Sequence, residues 1–352
     1  FVNCIEPYIK TLRDVNRVIN IFQFRYKILY EETAIEDMVA LTTIEVLEPQ
    51  LYQWISRNKD LLCSTYFHSF SALYRNKSDY RTSICEELRK LGMNTDIGIK
   101  FLSTLFPVFA NDIDECDYKY TESNIRETMR VAQEERFDSY FMFDLKKIPI
   151  SRYIINNCIN ELELNDLIVV VSKINDAGNI EYFIDELSSL VDTIPTERLG
   201  LLSLVILNVL HKFSQNSQFF MLSAYTKAEF LVYSIMCKIN DENERYNLIK
   251  SVLEKTNKEQ IGALASFINR IELSHGRLAG KEKPIEKQLI TLQHLIDIEL
   301  IYVSKINEIT QSEVIIDIRN FYMAFYLWEC LDKDRAQNYL DNILKEDNNI
   351  LK

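Results

Sequence analysis

The chain has 352 residues, of which 47% are hydrophobic and 26% charged, and its formal net charge is −12. That length exceeds one comfortable core, so two domains or one elongated array are expected. With only 7 glycines and 6 prolines, tight turns are too few for sandwiches, barrels or doubly wound sheets, and the acidic balance works against a nucleic-acid partner.

A mostly helical chain follows, and its first strong element begins at Thr11. Thr11 and Asp14 have the spacing of a capping box, in which each side chain satisfies an N–H of the first turn. Val15, Val18, Ile19, Phe22, Tyr26 and Leu29 recur at helical steps and form an apolar packing stripe. Arg13, Arg17 and Asn20 fall on a neighbouring stripe. Two guanidiniums and an amide at the positive end of a helix can meet phosphate; equally, they can be a solvated face with local ion pairs.

Further helices are predicted over Glu31–Leu47, from Pro49 through Leu51, Tyr52 and Ile55, over Ser83–Leu91 with Gly92 as its stop, and over Lys100–Phe106 ended by Pro107. Between them lies an aromatic-rich stretch, Tyr66–Tyr74. The acidic run Asn111–Asp117 lacks the glycine and terminal glutamate of a calcium loop. It reads as a surface loop, which sets the expected division into residues 1–110 and 111–352. Glu135–Phe143 is again aromatic, and Phe137, Tyr140 and Phe141 have the spacing of a core face. From Ile150 to Lys255 successive helices are separated by polar turns such as Asn175–Asn179, and a last segment from Asn257 to Ile350 is broken at His275–Pro284. The pattern predicts a HEAT- or armadillo-like stack, although no strict repeat can be read.

Catalytic constellations are not found. The histidines (His68, His211, His275, His294) are not paired at ligand spacing, and a structural hydrogen bond is the expected role of each. Gly276–Glu282 is one residue short of a phosphate loop and places Glu282 where a magnesium-binding hydroxyl is needed. The strip Arg75, Lys77, Arg81, Arg89 and Lys90 is interrupted by acids and reads as solvated surface. Seven dispersed cysteines, never spaced C-x-x-C, predict reduced thiols and no zinc site. The apolar run Leu199–Leu210 stops at His211-Lys212, and Phe219–Ile239 carries Lys227 and Glu229, so no membrane segment is expected.

Three separated segments together resemble the C-terminal half of KAP-family P-loop NTPases. Thr11-Leu12-Arg13-Asp14-Val15-Asn16-Arg17-Val18-Ile19-Asn20 is similar to the family's T-P-R-x-x-x-R-x-x-N segment, with Leu12 in place of proline, and continues into Asp37–Leu41 and Pro49–Lys59. Leu105-Phe106-Pro107 followed by Phe137-Asp138-Ser139-Tyr140-Phe141 is similar to its F-D-x-Y-F element, and His275-Gly276-Arg277 to its H-G-R turn. The resemblance implies an all-α fold, a helical lid-like subdomain over 1–110 followed by a stacked helical array. Residues 1–62 would cover a nucleotide held by an N-terminal core that carries the Walker motifs, binds ATP and Mg2+, and precedes Phe1. Arg13 would be the sensor-type arginine on the γ-phosphate, with Arg17 assisting it or bracing an acidic neighbour. His275 and Arg277 would form a minor recognition turn. It further implies a bacterial, cytoplasmic protein of antiphage defence, acting as a homo-oligomer or with a protein partner. The rival reading is a free-standing helical scaffold for protein–protein interaction.

Overall fold

The computed structural model describes residues 1–63, 77–113, 122–142, 145–216, 222–278 and 280–346. The aromatic stretch with His68, the acidic residues 114–117 with Cys116, and Phe143 lie outside them. Every described element is helical, so the expected all-α class is what the chain adopts. No described helix is long and apolar enough to cross a membrane. The described cysteines are all free thiols.

Residues 1–155 and 156–352 form two compact units. Unit 1 contains α1 (Val2–Ile5), α2 (Leu12–Leu29), α3 (Ile35–Leu47), α4 (Pro49–Arg57), α5 (Lys59–Cys63), α6 (Lys77–Lys90), α7 (Thr95–Leu105), α8 (Pro107–Asp112), α9 (Glu122–Glu127) and α10 (Glu134–Met142). The predicted punctuation is present. Thr11 and Asp14 cap α2 reciprocally, Thr11 N–H donating to Asp14 at 2.9 Å and Asp14 N–H to Thr11 at 3.2 Å. Pro49 opens α4 and Pro107 opens α8, where a missing N–H costs nothing. Asn94 caps α7 by accepting the N–H groups of Asp96 and Ile97.

The core of unit 1 gathers Leu29, Met38, Leu41, Ile44, Leu51, Ile55, Leu102, Leu105, Phe106, Phe137 and Tyr140, none of them solvent-accessible. Each such side chain contributes roughly 1.5–3 kcal/mol of burial free energy. The aromatic element at 137–141 is thus core, as its spacing predicts. The Tyr140 hydroxyl also accepts the Ala34 N–H at 2.7 Å and donates to the Met129 carbonyl at 2.7 Å.

Two expectations are corrected here. The division between units falls after Ile155, not at 110/111, because residues 122–155 are bonded back onto the first helices. Arg130 pairs with Asp37, and Arg136 donates to both the carboxylate and the carbonyl of Glu32. The same Glu32 carboxylate accepts the Arg152 N–H at 2.8 Å. The packing stripe of α2 is also rotated from the predicted one. Val18 and Leu29 are buried with Arg25 between them and Phe22 alongside, whereas Ile19 and Tyr26 face solvent.

In unit 2, which begins within α11 (Arg152–Asn160), the helices are α12 (Leu164–Asp176), α13 (Ile180–Ser189), α14 (Thr196–Val209), α15 (Ala224–Cys237), α16 (Glu242–Glu254), α17 (Lys258–Ser274), α18 (Leu292–Ser312), α19 (Phe321–Leu331) and α20 (Lys333–Glu346). They stack next-but-one: α12 on α14, α14 on α16, α16 on α18, and in the other row α13 on α15 and α17 on α19. That is the connectivity of a helical-pair array, whose core forms only when neighbours stack.

The array carries a repeat that patterning alone does not reveal. Glu186, Glu229 and Glu272 are buried, stand on α13, α15 and α17, and recur every 43 residues. Lys227 and Arg270, two residues before the second and third of them, each reach back to the preceding helix of this set. Lys227 bonds Glu181 and Asp185 of α13, and Arg270 bonds Glu229 of α15 at 2.9 Å.

Candidate functional site

The N-terminal end of α2 brings Arg13, Arg17 and Asn20 onto one exposed face, as their spacing predicts. The cap fixes this end. Hydrogen bonding from Thr11, with help from the N–H groups of Lys10 and Thr11, holds the Asp14 carboxyl below the usual carboxylate range. Arg17 is 55% exposed; it lies 4.0 Å from Asp14 and donates to the Val46 carbonyl at 3.3 Å. It therefore braces its acidic neighbour. Arg13 makes no hydrogen bond or ion pair with any described residue, and its guanidinium is open to an anion.

A third arginine of this helix, Arg25, has no solvent exposure and was missed by pattern reading. It donates to the Tyr52 hydroxyl at 2.7 Å and to the Tyr140 carbonyl at 3.3 Å, and pairs with Glu45 at 2.6 Å. These bonds lock the rotation of α2 about its axis and so determine which way Arg13 and Arg17 face. The available signal was that Arg25 follows Val18 and Phe22 at helical steps, in a place that apolar scoring skips.

The turn after α17 does place His275 beside Arg277, and both side chains bond the chain itself. Gly276 takes a φ of +71°, a conformation that glycine adopts without a Cβ penalty. This lets the chain fold back so that the His275 ring bonds the Ile290 carbonyl at 3.0 Å. Arg277 donates to Glu272 at 2.6 Å and to Glu299. The two side chains thus brace the turn through the His275 ring and two of the Arg277 nitrogens, while the Arg277 side chain stays 38% exposed. Glu272 has no exposed side-chain surface. Burial, reinforced by the adjacent Glu299 carboxyl, pushes it up to about 8 against the pull of Arg277, so Glu272 holds its proton at neutral pH.

A second cluster was also missed. Glu242 accepts the Thr291 N–H at 2.7 Å and the His294 ring N–H at 2.8 Å, and Tyr246 stacks on that ring with centroids 4.1 Å apart. Thr291 caps α18 by accepting the His294 N–H, and the Glu242 carboxylate, placed at the same helix start where the dipole favours negative charge, supports that cap. His275 and His294 both have the structural roles expected of them. Among the described residues, no group of three or more His, Cys, Asp or Glu side chains could hold a metal ion.

Surface grooves among the described residues include two lined in part by polar side chains. One of about 360 Å³ in unit 2 is lined by Asp185, Val191, Leu222, Lys227 and Phe230. The other, about 530 Å³ in unit 1, is lined by Arg81, Asp96, Lys100, Ser103 and Thr104. No family model matches the chain, and no curated protein and no solved structure gives a match to it.

Proposed function

We propose that this chain is the lid and C-terminal regulatory part of a KAP-like P-loop NTPase of bacterial antiphage defence, with Arg13 as the sensor-type guanidinium on the γ-phosphate of ATP. The observation that carries this reading is the state of Arg13: it stands in the first turn of a capped helix, exposed, with its charge uncommitted within the described chain. A guanidinium held there stabilises charge in a phosphoryl-transfer transition state without reorganising, and phosphate loss releases it. Arg17, engaged with Asp14 and the Val46 carbonyl, sets the electrostatics of the helix end. In this reading a P-loop core supplies ATP and Mg2+, and the helical array of unit 2 passes the lid's position to a protein partner or a second subunit in the cytoplasm.

The test is turnover of the complete NTPase carrying Arg13→Glu. Loss of roughly 10³–10⁵-fold is expected, by analogy with the removal of a transition-state arginine, while the far-UV spectrum of this chain stays unchanged. Undiminished turnover removes Arg13 from the mechanism.

The second reading, a free-standing helical scaffold, is favoured by the groove between α13 and α15. There the exposed Leu222 and Phe230 flank Lys227. Protein binding that is lost on Phe230→Ser but indifferent to Arg13→Glu would select it.

A further inference from the structure

α2 has 18 residues and is therefore about 27 Å long. It packs on α3 along a narrow seam that buries only Val18, Arg25 and Leu29. Along one flank, at steps of three and four residues, run Arg13, Arg17, Ile21, Phe24 and Ile28. Phe24 is 62% exposed, Ile21 42% and Ile28 41%. The arginines form one end of this stripe and the apolar residues the other. Glu31, exposed just beyond the helix, continues the apolar end with an acid.

The order of residues is self-complementary. Laid antiparallel on a second α2, with a two-fold axis near Ile21, the stripe sets Arg17 over Phe24 of the second copy and the Arg13 stem over Ile28 of the second copy. Guanidiniums favour aromatic faces, and aliphatic stems of arginine cover apolar surface. The same alignment brings the cationic start of each helix to the other's C-terminal carbonyls and to Glu31 of the second copy, where positive charge is stabilised. Lys27, on the adjoining ridge, is a like charge near Arg13 and limits the affinity. An apolar stripe meeting its own copy under a two-fold axis is the closed, isologous form of association.

We infer that the exposed flank of α2, from Arg13 to Ile28, is a weak antiparallel homodimer interface. Two helices of this length bury less than the ~1,200 Å² of a standard interface, so the dimer is reversible. The pairing does not depend on the NTPase reading. Its consequence does: a paired α2 covers Arg13, so dimerisation and nucleotide sensing exclude one another.

Sedimentation equilibrium of this chain over a wide concentration range tests the pairing directly. A reversible dimer is expected, with its dissociation constant raised about tenfold or more by Phe24→Ser and by Arg17→Glu. Glu31→Arg weakens it, and adding Arg13→Glu to Glu31→Arg restores part of the loss. Ile21→Cys is expected to cross-link to its own copy on mild oxidation, because it lies near the axis. All these side chains are exposed, and circular dichroism verifies that the variants fold. A chain that stays monomeric throughout, or a dimer indifferent to Phe24→Ser, overturns the inference; in the second case another face pairs and the stripe belongs to a different partner. Turnover of the Arg13 variant is a separate measurement, so either proposal can fail alone.

Discussion

In unit 1 two buried charge pairs, Arg130–Asp37 and Arg136–Glu32, join segments 93 and 104 residues apart. In unit 2 buried glutamates recur every 43 residues, and one of them, Glu229, is paired with Arg270 of the next helix in its row. The first arrangement closes a globular unit, because each pair forms only when the chain has returned from far away. The second links repeats, so each pair needs only its neighbour. A buried pair adds little net stability over an apolar one, but losing one partner strands the other's charge. The two units should therefore respond to the same kind of substitution on different scales.

The largest effect belongs to Asp37→Ala. It leaves the Arg130 guanidinium and the Val131 N–H without their shared acceptor in a site where Asp37 has no exposure. A loss of about 3–5 kcal/mol is expected in urea unfolding, confined to the transition of unit 1. A loss below about 1 kcal/mol would mean that the long-range pairs do not close this unit.

Next comes the acid pair of unit 2. Glu272 ionises near 8 in the folded chain and near 4.5 in an unfolded one. Between these values the folded state binds more protons, so stability falls as pH rises from about 4.5 to about 8 and levels off above. The slope is at most ~1.4 kcal/mol per pH unit for one proton. Thermal denaturation across this range is expected to show the fall, and Glu272→Gln to flatten it. An unaltered profile in the variant would assign the pH dependence elsewhere.

The smallest contrast lies within the repeat. Arg270→Met strands Glu229, which is 4% exposed, whereas the equivalent Lys227→Met removes a partner from Glu181 and Asp185, which are 51% and 22% exposed. Costs of roughly 1.5–3 and below 1 kcal/mol are expected. Equal costs would show that the 43-residue interval marks equivalent positions but not unequal burial.

Local punctuation was readable without coordinates. The Thr11–Asp14 box, Pro49 and Pro107 at helix starts and the core face of Phe137 and Tyr140 all depend on neighbours within a few residues. The division after Ile155 was not readable, because it follows from Arg130, Arg136 and Arg152 returning to the first helices. Nor was the repeat: its markers are single glutamates that hydropathy scores as surface, and they became visible only once burial was known. Of the candidate site, the common face of Arg13 and Arg17 was legible. Arg25, which sets the direction of that face, was not.

By itself, then, the sequence determined the helical class, the caps and stops of many helices, and the grouping of Arg13 with Arg17, since these follow from backbone sterics and a period of 3.6 residues. Only the tertiary structure decided which charges are buried and what they hold. It turned Arg25 and Arg277 into braces and left Arg13 uncommitted among the described residues, because desolvation and pairing depend on neighbours that the chain brings together only on folding.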